Sequence, residues 1–122
     1  YSDSKFNNVS SRRSKLMDIH NHARWLKDFT ISRQWYPYPP FVRLAFMSEE
    51  LGELAQAVRT HEIGRDHPHE QKLSEDEQLS HIREELADVL DNLLIMADKY
   101  GFTADDLMQT SEAKLTKRFG EH

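Results

Sequence analysis

Residues 74–97 read SEDEQLSHIREELADVLDNLLIMA, and this stretch decides the class of fold. Its apolar residues Leu79, Ile82, Leu86, Val89, Leu90, Leu93, Leu94 and Ala97 recur every three or four positions. That is the period of one face of an α-helix. Ser74 followed by Glu77 fits a capping box, in which each side chain satisfies a backbone N–H at the helix start. The spacing predicts a helix from Ser74 to about Gly101, where a glycine can take the backbone conformation that ends it.

Working outward, the same period recurs on both sides. Phe41, Leu44, Ala45, Met47, Leu51, Leu54, Ala55 and Val58 predict a helix from about Pro40 to His61, with proline in the first turn. Leu16, Ile19, Ala23, Leu26 and Phe29 predict another from about Arg12 to Arg33. Between them Trp35-Tyr36-Pro37-Tyr38-Pro39-Pro40 cannot remain helical, because proline lacks the N–H and restrains its predecessor. His61–Leu73, with Gly64, Pro68 and many charges, reads as a loop. Thr103 with Asp106 is a second capping box, opening a helix through Leu107, Met108, Leu115 and Phe119. Residues 1–11 are polar and aperiodic and read as a flexible tail; residues 12–122 read as one helical domain. No strand-like alternation competes. The expected fold is all-α, a four-helix bundle.

The 122-residue chain suits a single domain. Its net charge of −5 argues against a nucleic-acid partner, since there is no excess of Lys and Arg to neutralise a phosphate backbone. With no cysteine there is no disulfide and no thiolate metal site. Neither an apolar run of about 20 residues nor a signal-peptide pattern is visible, so a cytoplasmic protein without a membrane partner is expected. An acidic protein that handles phosphates needs a metal as intermediary.

Seven acids mark the two central helices: Glu49, Glu50 and Glu53 in SEELGEL, and Glu84, Glu85, Asp88 and Asp91 in REELADVLDN. At about 100° per residue, Glu49 and Glu53 lie about 40° apart, with Glu50 about 60° beyond Glu53. Glu85 and Asp88 share a face one turn apart. Leu51, Leu54, Leu86, Val89 and Leu90, residues of core type, flank them. Carboxylates among apolar neighbours are costly unless paired or bound to a cation, and a hard divalent cation with oxygen ligands suits them. Solvated acids paired with Arg43, Arg59 or Arg83 satisfy the same spacing. Spacing alone leaves both readings open.

The wording of the motif goes further. Glu49-Glu50-Leu51-Gly52-Glu53 followed by Glu85-Leu86-Ala87-Asp88 resembles the EExxE…ExxD signature of the MazG-like, all-α nucleoside triphosphate pyrophosphohydrolases. EELGELAQAV and EELADVLDNLL around these acids look similar too, as do Arg33-Gln34-Trp35 upstream and the Lys114–Phe119 segment KLTKRF downstream. The resemblance covers roughly residues 20–119. It implies Mg²⁺-dependent hydrolysis (Mn²⁺ being a possible substitute) of a (deoxy)nucleoside triphosphate to the monophosphate and pyrophosphate, in nucleotide-pool housekeeping. It implies Glu50, Glu53, Glu85 and Asp88 as metal ligands, and Glu49 as a ligand or the acid that orients and deprotonates the attacking water. It also implies completion of the bundle by homodimer or homotetramer formation. A catalytically idle helical module that binds a nucleotide or a protein is the alternative. Two features depart from the family pattern: a longer interval between Glu53 and Glu85, and His81 where some members carry Lys.

Other residues fall into place around this reading. Lys114 and Arg118, one turn apart, are candidates for the phosphate tail, although basic residues also complement a helix C-terminus. Asn92, one turn beyond Asp88, is a candidate for a base edge, and Asp91 for a further acid near the metal. Trp35, with Tyr36 and Tyr38, is a candidate for stacking on a base, although aromatics beside prolines also plug bundle ends. His61, His67 and His69 lack regular ligand spacing and read as a solvated loop.

Overall fold

The computed structural model describes residues 17–64 and 73–120. Among these the chain forms four helices and no strand: α1 (Ile19–Ser32), α2 (Pro40–Ile63), α3 (Glu75–Lys99) and α4 (Ala104–Phe119). The all-α expectation holds. Both capping boxes form as the sequence predicts: Ser74 Oγ accepts from the Glu77 N–H at 3.1 Å, and Thr103 Oγ1 from the Asp106 N–H at 3.1 Å. The return bonds, from the Ser74 and Thr103 N–H groups to the Glu77 and Asp106 carboxylates, are 2.9 and 2.8 Å long. Glu77 is held below the ordinary carboxylate pKa by these bonds to Ser74.

Two boundaries differ from expectation. The helix α1 begins at Ile19, because Asp18 takes an extended backbone and its carboxylate accepts from the Asn21 N–H at 2.8 Å. Such an N-cap ends helical geometry on its upstream side. The expected tail 1–11, residues 12–16 and the segment 65–72, with His67 and His69, lie outside the described residues. The second helix runs on to Ile63, so His61 is helical rather than in the loop; Gly64, at φ +84°, is its terminus. At that φ a side chain would meet its own carbonyl, which is why glycine stands there.

The chain divides into two compact units. One joins the chain up to Pro37 with the chain from Gly101 onward. Within it Leu26, Thr30 and Ala104 are buried, and His20 Nε2 lies 3.2 Å from Asp105 Oδ1, linking α1 to the start of α4. A row of rings follows α1: His22 on Trp25, Trp25 stacked on Phe29 at 5.2 Å, and Phe29 edge-on to Trp35 at 5.8 Å. The other unit, Tyr38–Tyr100, is the α2–α3 hairpin. Contacts between Arg43 and Asn92, and between His61 and Gln78, run in opposite chain order, so the two helices are antiparallel. Its buried residues are Arg43, Ala57, Thr60, Glu85, Leu94, Ile95 and Ala97.

The flanking leucines correct an expectation. Leu51, Leu86 and Leu90 were expected to be core, yet they are 49%, 52% and 40% exposed. Two helices cover only one face of each other, so the wide apolar stripes of α2 and α3 are half used. No described helix is long and apolar enough to cross a membrane.

Candidate metal centre

Helical phase and antiparallel pairing together bring the acids of α2 and α3 to one place. Ligand oxygens of Glu50, Glu53 and Glu85 all lie within 4.8 Å of one another. Glu85 is buried at 7% exposure, Glu50 half-buried and Glu53 exposed, so the cluster opens to solvent on one side. One oxygen of Glu50 and one of Glu85 are buried without a hydrogen-bond partner. A buried acceptor left in that state is costly.

The electrostatics carry the same message. Burial, reinforced by a hydrogen bond with Glu85 and the charges of Asp88, Glu53 and Glu85, pushes the Glu50 carboxyl up to about 7. Glu53 is raised chiefly by the charge of Glu85. Asp88 is raised chiefly by burial, then by the charges of Glu85 and Asp91, although a hydrogen bond with Glu50 pulls the other way. Each of these shifts disfavours the charged carboxylate, so a positive charge among them is stabilising. A proton is one solution and a cation the other. The two orphaned oxygens, with Glu53 facing solvent, fit a hard cation that keeps waters in its shell.

Of the residues singled out in the sequence, Glu50, Glu53 and Glu85 converge. Asp88 is next to them, in hydrogen-bond contact with Glu50, but is outside the tightest triplet. Glu49 is exposed on α2 and near enough to Glu53 to raise its pKa. Asp91 acts on Asp88 through its charge. His81 turns towards the cluster, with Nε2 3.4 Å from Glu85 Oε1.

Asn92 has a more definite task than spacing suggested. Its Oδ1 accepts from Arg43 Nη1 at 3.3 Å, and its Nδ2 donates to the Asp88 carbonyl at 3.2 Å. It thereby bridges the ligand-bearing turn of α3 to a buried arginine of α2. Arg43 is one of the three arginines that the solvated-acid alternative pairs with the acids. It is 7% exposed, its guanidinium lies 5.8 Å from the Tyr38 ring centre, and burial lowers its pKa. The missed signal was phase: Arg43, Met47, Glu50 and Leu54 follow one stripe. Trp35 is 44% exposed, its N–H bonded to the Thr30 carbonyl at 2.8 Å. Lys114 and Arg118 are exposed on α4, in the other compact unit.

Comparison with known proteins agrees with this geometry. The family model of the MazG nucleotide pyrophosphohydrolase domain matches residues 42–121, which takes in both acidic motifs and α4. "Uncharacterized protein YvdC" of Bacillus subtilis (strain 168) is 47% identical over 106 residues, covering 87% of this chain and 99% of that protein. No solved structure matches. With the match spanning most of the chain and the acids converging as the motif requires, the chain belongs to the MazG nucleotide pyrophosphohydrolase family.

Proposed function

We propose that this protein hydrolyses a (deoxy)nucleoside triphosphate to the monophosphate and pyrophosphate in the presence of Mg²⁺, as a cytoplasmic housekeeper of the nucleotide pool. The observation that carries the reading is the triplet Glu50, Glu53 and Glu85, whose oxygens share one site with two buried oxygens unpartnered. Glu50, Glu53, Glu85 and Asp88 would hold the ion. Mg²⁺, when bound, supplies the positive charge that offsets the phosphates and the developing charge of the leaving group. Mn²⁺, with the same preference for oxygen, is a possible substitute.

The chain's own groups do the rest. Glu49, exposed beside the cluster, orients the attacking water and takes its proton as the new P–O bond forms. The phosphoanhydride bond between the α and β phosphorus atoms breaks, and the group on the phosphorus not attacked, pyrophosphate or the nucleoside monophosphate, departs with the electron pair. Asn92 is better suited to positioning than to reading a base: by tying Arg43 to the Asp88 carbonyl it keeps the ligand turn of α3 in register with α2. Lys114 and Arg118 are assigned to the phosphate tail and Trp35 to the base, the latter supported by its exposed ring.

A homo-oligomer belongs to the same reading. Leu79, Leu86, Leu90 and Leu93 fall within about 60° of arc on α3 and are each at least 40% exposed. Phe41, Leu44 and Leu51, each at least 40% exposed, fall within about 80° on α2. Apolar stripes of this extent favour burial against another copy.

The test is a panel of ribo- and deoxyribonucleoside triphosphates incubated with purified protein and Mg²⁺, with pyrophosphate and monophosphate as readouts. Release of both, dependent on the metal, is expected. Folded protein that releases neither from any triphosphate would refute the activity.

A further inference from the structure

His81 and Glu85 are four residues apart on α3, so they share one face of the helix, one turn from each other. Helical side chains lean towards the N-terminus, which carries Glu85 back over the turn that holds His81. His81 Nε2 lies 3.4 Å from Glu85 Oε1. The surroundings of the two differ: the His81 side chain is 49% exposed and that of Glu85 only 9%. The second oxygen of the same carboxylate, Oε2, is buried and has no hydrogen-bond partner among the described residues.

A pair at this spacing has an ordinary explanation, the reinforcement of the helix. Two observations count against it. Such pairs support a helix best with the acid on the N-terminal side, and here the order is reversed. The acid is also buried against the carboxylates of Glu50 and Glu53 rather than turned out to water.

What the contact does is fix one carboxylate. The last torsion of a glutamate is broad, so an unanchored Glu85 is able to present either one oxygen or both to an ion. With Oε1 held by the imidazole N–H, the oxygen left for an ion is the unpartnered Oε2. Imidazole suits the task, because its neutral form still donates and adds no fixed positive charge to compete with a cation. An imidazole N–H on a ligating carboxylate is an outer contact that sets ligand orientation in metal sites. The number of oxygens offered also selects the ion. Mg²⁺ requires a compact octahedron, whereas Ca²⁺ takes more oxygens at longer range and accepts both oxygens of one carboxylate. We propose that His81 is a positioning residue that holds Glu85 to one-oxygen ligation and thereby biases the site towards Mg²⁺ over Ca²⁺. The proposal rests on the reading of the carboxylate cluster as a metal site and is independent of the triphosphate activity.

The test is calorimetric titration of Mg²⁺ and of Ca²⁺, without nucleotide, into the wild type, His81→Leu, His81→Ala and His81→Gln. Circular dichroism checks that each is folded, which exposure of His81 favours; either of the Leu and Ala variants suffices if the other does not fold. Loss of the ring should weaken Mg²⁺ binding by about tenfold or more. Ca²⁺ binding should weaken less, so the Mg²⁺-to-Ca²⁺ affinity ratio falls. His81→Gln, whose amide restores an N–H within reach of Glu85, should recover both the Mg²⁺ affinity and the ratio. A role confined to helix stability would move the melting temperature and leave the ratio alone. Wild-type Mg²⁺ affinity in a folded Leu or Ala variant, an equal loss for both ions, or a Gln variant no better than Leu overturns the proposal while the cluster reading stands. A wild type that binds neither ion overturns both. Metal affinities as expected, with no triphosphate hydrolysed, uphold the role of His81 while the proposed activity falls.

Discussion

Glu85 sits at 7% exposure with one oxygen unpartnered, and Glu50 and Glu53 point their own oxygens at it. An apo protein in this state is under electrostatic strain, which sets the sign of two predictions. Glu53→Gln or Asp88→Asn should leave the apo melting temperature unchanged or higher, abolish the rise that Mg²⁺ produces, and lower kcat by about 100-fold or more. A loss of apo stability with the Mg²⁺ response intact would instead mark the acids as ordinary structural partners. The pH dependence follows from Glu50, raised to about 7 in the folded chain. A carboxyl whose folded pKa is raised binds its proton more tightly when folded. Its folding advantage is therefore complete below the ordinary carboxylate pKa and is lost as pH rises towards and through about 7. Without metal, thermal unfolding should occur at lower temperature at pH 8 than at pH 5.5, and saturating Mg²⁺ should narrow the gap. At this scale the motif named Glu50, Glu53, Glu85 and Asp88, and the structure brings the oxygens of Glu50, Glu53 and Glu85 closest together. That Glu50 is half-buried while Glu53 faces water depends on where α3 lies.

The helices were the most legible part of the chain, because their start signals act locally. Ser74–Glu77 and Thr103–Asp106 close their boxes through side chains only three residues apart. Ser74→Ala should lower stability by about 1 kcal/mol, seen as a melting temperature roughly 4 °C lower. Gly101 has φ +79°, so Gly101→Ala should cost about 1–2 kcal/mol even though its Cβ would meet nothing within 4 Å. Where expectation failed, a competing local signal had been passed over. The period of Leu16, Ile19 and Ala23 suggested a longer first helix, whereas Asp18 caps the chain at Ile19. Arg43 is a different case: charge made it one candidate partner for solvated acids, while its phase puts it on the buried stripe. Asn92, accepting from the guanidinium at that depth, helps make the burial tolerable.

Across the whole chain, the exposed leucines of the hairpin are the main unfinished business of folding. Leu90→Glu, on the outer stripe of α3, should convert an oligomer into a smaller species in sedimentation or light scattering, with helix content retained. It should also leave the Mg²⁺-induced rise in melting temperature in place, since Leu90 is absent from the acid triplet. An unchanged sedimentation coefficient, or a wild-type protein that is already monomeric, would refute the role assigned to this face.

By itself the sequence determined the all-α class, the start of α3 and α4, and which acids are candidates for the site. Those depend on the helical period, on caps three residues long and on motif wording, all of which are local. The tertiary structure decided which oxygens share a site, which are starved of partners, and why Asn92 is engaged with Arg43. Each of these is set by the register of two antiparallel helices. A periodic pattern names the face a helix will bury, but it leaves open which turn of the partner that face will meet.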